Sequence, residues 1–231
     1  MRTARALAAL SVLAGAAAAP ASSWPGEVRG AVAVLEVFNR ALPHHVPEAA
    51  PPRFALLEDG QVFVGGTRSL SVGRLGSKEL KDLERRFAEV RRLPGLAGTI
   101  TLGPGERRHR IRLFKGGRPL DLTINGDPAR AVPERRPLAG LLQDLEQFTH
   151  PTLRPYAPES YALSAREGSL RGGCRRWTAA SPPIAETVFA PVGIPAAVAD
   201  GWPTGATPAS VCVGNRTYVV TLRPLLPGEQ P

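Results

Sequence analysis

The chain holds few of the residues that carry metal and redox chemistry: two cysteines and four histidines in 231 residues. Cys174 and Cys212 form no C-x-x-C pair and have no histidine beside them, which excludes the spacing of a zinc or dithiol redox motif. Of His44, His45, His109 and His150, only the first two are clustered. Adjacent residues on extended chain point apart, so one ion cannot easily take both. No metal or organic cofactor is expected. The G-x-S-x-G elbow and S-x-x-K pattern of serine nucleophiles are also missing, and Gly103-Pro-Gly105 lacks the lysine and serine of a phosphate-binding loop. Aromatic residues make up only 6% of the chain, which argues against nucleic acid as a partner. No apolar run approaches the ~20 residues that span a bilayer, so no transmembrane segment is expected.

What the sequence does contain begins with an address. Arg2 and Arg5 precede an apolar run from Ala6 to Ala19, and Ala19-Pro20-Ala21 supplies small residues at a cleavage site. No acidic residue appears before Glu27. A charged start, an apolar middle and a small-residue exit are the signature of a secretory signal peptide. We therefore expect residues 1–21 to be removed on export and the rest to work in the periplasm or the medium. In an oxidising compartment Cys174 and Cys212 are expected to form a disulfide.

Two helices are expected. In the first, Ser77 can cap the start, Leu80, Leu83, Phe87 and Val90 recur at helical spacing, and Pro94-Gly95 ends the run. The second places Leu138, Leu141, Leu142, Leu145 and Phe148 on one stripe. Strands are expected at 31–38, with Glu36 on a solvated side, at 108–114 and 120–125 around the Lys115-Gly-Gly-Arg118 turn, at 161–165 and at 217–223. Phe54 to Val64 reads as a hairpin turning at Asp59-Gly60. The expected fold is α+β, a mainly antiparallel sheet with two helices packed on one face. Residues 22–150 form its N-terminal part, and 151–231 a disulfide-containing part packed on the same core.

The full chain carries a net charge of +9, and only Lys78, Lys81 and Lys115 are lysines. Arginine is abundant together with alanine, glycine and proline, the mark of a GC-rich genome. The charge is densest at Arg107-Arg108-His109-Arg110-Ile111-Arg112. On a strand, Arg108, Arg110 and Arg112 share one face, with His109, Ile111 and Leu113 on the other. Such a row is a candidate site for an anionic envelope polymer, or a solvated face that discourages pairing with other chains. Arg175-Arg176-Trp177, beside Cys174, is a second basic spot.

Four segments carry a resemblance: the F-x-L-x-x-D-G hairpin at 54–60, K-E-L-x-x-L at 78–83, Arg-Pro-Tyr-x-Pro-Glu at 154–159, and Tyr-Val-Val-x-Leu-Arg-Pro-Leu-Leu-Pro-Gly-Glu at 218–229. In these the chain resembles a family of exported bacterial proteins with no assigned activity, many of them lipoproteins. This chain has no cysteine after its leader, where those relatives carry one. The resemblance implies an exported protein and brings no catalytic residues. Three readings follow: a non-enzymatic binding domain of the envelope or medium, an enzyme whose site is assembled from distant residues such as His109 and Asp121, or a structural envelope component.

The leader is expected to be cut between Ala21 and Ser22. The intact mass of protein recovered from an exporting host checks this, and retention of the leader or cleavage beyond Arg29 would contradict it.

Overall fold

The structure, a computed structural model, describes residues 28–39, 51–65, 69–177, 183–188 and 190–231. The expected leader and the His44-His45 pair lie outside the described residues. The fold is α+β and mostly antiparallel, as expected, but it contains two sheets rather than one.

The first sheet has eight strands: β1 (Ala31–Asn39), β2 (Phe54–Leu57), β3 (Gln61–Gly65), β4 (Leu70–Arg74), β5 (Gly98–Thr101), β6 (Arg107–Leu113), β7 (Leu120–Asn125) and β8 (Arg154–Pro155). Their order across the sheet is β5-β7-β6-β1-β2-β3-β4-β8, and only β5 and β7 run parallel. Two helices, α1 (Ser77–Arg91) and α2 (Arg136–Glu146), cover one face. Phe87 and Val90 of α1 and Leu138, Leu141, Leu142 and Leu145 of α2 pack there on Leu35, Phe54, Leu56, Ile111, Leu122 and Ile124. The leucine stripes read from the sequence are therefore the surfaces that meet the sheet. The helices are tied to each other by an Arg86–Asp144 ion pair. The cap of α1 differs from expectation: Gly76 is the N-cap residue, and its N–H donates to Glu79 Oε2 at 2.8 Å. The acidic residue three positions on thus does the capping, and Ser77 is already helical.

The β2–β3 hairpin also turns more widely than a two-residue loop. Its last paired residues are Leu56 and Val62. Gly60 sits at φ 82°, where a side chain is strained, and its N–H donates to Leu57 O at 3.0 Å. Asp59 Oδ1 accepts from Gln61 N at 2.9 Å.

The second sheet contains β9 (Ser160–Glu167), β10 (Arg175–Arg176), β11 (Val192–Pro195), β12 (Gly205–Val213) and β13 (Arg216–Pro224) in the order β10-β12-β13-β9-β11. A short helix, α3 (Ala196–Ala199), and a 3-10 turn at Ile184–Val188 pack on it. The sequence does not announce β12. Its ladder with β13 is irregular between Gly205 and Ala209, and Pro208 falls in that interruption, the place where a strand tolerates a residue without an N–H.

The Cys174–Cys212 disulfide is present and fastens the short parallel strand β10 to β12. Next to it the Arg175 guanidinium lies 4.5 Å from the centre of the Trp202 ring, and the Trp177 and Trp202 rings are 4.9 Å apart. The expected second basic spot is thus partly used in packing. Replacing both cysteines by serine is expected to lower stability by roughly 4 kcal/mol, the loop-closure value for this separation. Thermal unfolding under non-reducing conditions checks this; an unchanged melting temperature would mean that β10 is held by its other contacts.

Candidate functional site

Strand β6 places its charges as the alternation requires. His109, Ile111 and Leu113 point into the helix-covered core, while Arg108, Arg110 and Arg112 lie on the opposite face. Each arginine has a cross-strand neighbour on β7: Asn125 for Arg108, Thr123 for Arg110 and Asp121 for Arg112. On the other side β1 sets Glu36 against Arg110. The face is therefore a patch of arginine, carboxylate, threonine and asparagine.

The three arginines are not equivalent. Arg108 is exposed and makes no ion pair with the described residues. Arg110 grips Asp121 with two bonds, Nε to Oδ1 at 3.1 Å and Nη2 to Oδ2 at 2.8 Å. Arg112 Nε approaches the same carboxylate at 3.4 Å. These two side chains are only 20% and 14% exposed, whereas Asp121 is 44% exposed. Asp121 thus screens Arg110 and Arg112, and the row presents its strongest free field at the Arg108 end.

Glu36 is a correction to the sequence reading. It was expected on a solvated side, yet it is 7% exposed. The reason is tertiary: the end of β13 and the segment that follows it close over this part of β1. There Arg223 and Glu229, both buried, form an ion pair at 2.8 Å. Burial pushes the Glu36 carboxyl up to about 8, against the pull of Arg223, Arg110 and Arg112 and with a smaller push from Glu229. Burial also raises Glu229, opposed by Arg223 and by the Leu226 N–H. One Glu36 oxygen has no hydrogen-bond partner among the described residues.

His109 and Asp121, the residues named for a catalytic reading, do not converge. His109 is fully buried on the helix side, where its Nε2 meets Glu146 Oε1 at the end of α2. Glu146 Oε2 also pairs with Arg107 at 3.2 Å, and Arg53 Nε donates to the Glu146 carbonyl. This cluster anchors α2 to β6 and to the residue preceding β2. Asp121 is on the other face of the sheet, and the sheet itself separates the two. Among the described residues no three histidine, cysteine or acidic side chains gather as metal ligands.

Sequence reasoning missed a groove of about 830 Å³ beside β4 and β8, lined by Gln61, Val72, Arg74, Arg154, Pro155 and Tyr156 among others. No local pattern signals it, because its walls come from three strands and the turn before β8. The nearest hint was Arg-Pro-Tyr at 154–156, read only as a landmark.

The fold and site together define a two-sheet α+β protein with a polar, arginine-bearing sheet face. No protein-family model, no curated protein and no solved structure matches this chain.

The buried Glu36 carries a pH dependence whose sign is fixed. Its ordinary value is 4.5 and its folded value about 8, so between these the folded state holds a proton that the unfolded state has released. Its contribution is fully present below about pH 4.5 and is lost as pH rises towards 8. Glu36→Gln is neutral at every pH, so its melting temperature relative to wild type should climb between pH 5 and pH 9. A variant that loses ground at pH 9 would show that Glu36 works as a buried anion.

Proposed function

We propose that this is an exported, non-enzymatic binding protein of the cell envelope or the surrounding medium, which contacts anionic polymers weakly through the β6 face. The observation that carries the reading is Arg108. It is an exposed guanidinium without an ion-pair partner among the described residues, standing two residues from Arg110 on a polar sheet face. Same-face neighbours on a strand are ~6.6 Å apart. That is within the ~8 Å Debye length at physiological salt, so the fields of the row add, less the share cancelled by Asp121. A flat, partly neutralised face suits low-affinity contact with a repeating anion better than tight capture of a small one.

Export is supported by the leader-like N-terminus and by the disulfide, which persists in oxidising compartments. No described helix is long and apolar enough to cross a membrane. The likeness to exported bacterial proteins in the four quoted segments points the same way.

At low salt the mature protein is expected to bind heparin-like and teichoic-like polymers, with affinity falling steeply as salt rises. Arg108→Gln should remove much of this binding and leave the melting temperature nearly unchanged. Arg110→Gln should lower the melting temperature, because it strips Asp121 of its two-point partner. If wild type ignores both polymers at low salt, the face is a solvated strand surface and the reading fails.

A further inference from the structure

The groove at the opposite edge of the eight-stranded sheet has features of its own. Arg154 is the register partner of Val72, and Arg74 lies two residues from Val72 on β4. Opposite residues share a face and diagonal neighbours have Cβ atoms within ~8 Å, so both guanidinium stems flank Val72 on the face away from the helices. Tyr156, two residues beyond Arg154, donates its backbone N–H to Leu70 O at 2.9 Å. Its ring packs edge-on against Phe63 at 5.2 Å, and its hydroxyl donates to Leu225 O at 3.1 Å. This side chain is therefore held in place as a rigid wall. Gly73 lets the turn before β8 pack close against β4: a Cβ there would meet Thr152 Oγ1 at 2.7 Å.

The charges select the ligand. Arg74 is already engaged by Asp59, with Nη2 2.9 Å from Oδ2 and Nη1 donating to the Asp59 carbonyl. Arg154 is exposed, and its guanidinium makes no ion pair or hydrogen bond with the described residues. Among the described residues lining the groove there is no carboxylate, and Glu159, which acts on the Tyr156 hydroxyl, is outside the lining. One guanidinium is thus left to pair, and its planar fork matches a single planar carboxylate. The rest of the lining is mixed. Val72, Pro155 and Tyr156 offer an apolar wall, while the Gln61 side-chain amide has no partner among the described residues and can bond a hydroxyl. An acyl chain would leave that amide unpaired, at a cost in desolvation.

From this arrangement we infer that the groove binds a carboxylated sugar: the ring lies against Tyr156, Val72 and Pro155, the carboxylate takes Arg154, and a ring hydroxyl takes Gln61. Its volume falls in the range of small-ligand sites. The inference names the polymer class behind the proposed function as an acidic polysaccharide with one carboxylate per ring. It rests on that reading for the source of the sugar but uses no residue of the β6 row.

The test titrates the mature protein with a galacturonic acid tetramer by calorimetry, beside a neutral glucose tetramer. Wild type is expected to bind the acidic tetramer and to prefer it clearly over the neutral one. Arg154→Gln should weaken it about tenfold, the loss typical of a hydrogen bond to a charged group, with an unchanged melting temperature. Gln61→Ala should weaken it less, and Arg108→Gln should leave it as it is. Absence of binding by wild type, equal binding of the neutral tetramer, or loss on Arg108→Gln with none on Arg154→Gln would each overturn the groove assignment. The last of these outcomes would leave the β6 face standing as the polymer site.

Discussion

An eight-stranded sheet has two faces to protect from water, and α1 and α2 cover only one. On the other face Val34, Ala55, Phe63 and Leu70 are buried with Leu226, which comes from beyond the end of β13. Burying one leucine contributes about 2 kcal/mol, but the placement matters more than the amount. Leu226 brings the last strand of the second sheet into contact with the middle of the first. Leu225 N donates to Ser160 O, and Tyr156 reaches the Leu225 carbonyl, so the strand exit is bonded to both sheets. The C-terminal segment is therefore a structural brace, and what it covers decides which parts of the sheet remain open.

The brace carries charge into the interior. Arg223 and Glu229 are buried together, and Glu36 lies close enough for Arg223 to be the strongest charge acting on it. A buried ion pair contributes little net stability, because desolvation offsets the attraction. Breaking one is costly, since the surviving charge is left without its partner. The same balance acts on Glu36: its burial, which raises the carboxyl, outweighs the pull of three nearby guanidinium groups. The result is a sheet face with a polar arginine zone at β6, an apolar strip under the brace, and a mixed groove at β4 and β8. Beyond the brace, Arg108 in the first of these zones and Arg154 in the groove remain exposed.

The His109–Glu146 contact has the residue types of an acid–base pair, but the imidazole is fully buried under α2, and its geometry is that of an anchor for α2. Asp121 is accessible but committed to Arg110 and Arg112. What the open surfaces offer is a guanidinium on each, Arg108 and Arg154, without an ion-pair partner among the described residues. Exposed guanidinium groups of this kind are suited to contact with carboxylates or phosphates.

Much of the local structure was legible in the amino-acid order. Periodicity of 3.6 placed the leucine stripes of α1 and α2, and periodicity of 2 put His109 and Ile111 inward and the arginines outward. The pairing of Cys174 with Cys212 was legible because no other cysteine competes. Three features were not. β12 was hidden because Pro208 and two alanines dilute its pattern, and its place depends on β13 beside it. The burial of Glu36 was hidden because its cover comes from Arg223 and Glu229, nearly two hundred residues away. The groove was hidden because Val72, Arg154 and Gln61 meet only through strand register. Spacing along the chain determines which face a side chain takes, since backbone geometry alone sets that. Which faces are covered, and which charges are left without a partner, was decided only when distant strands came together.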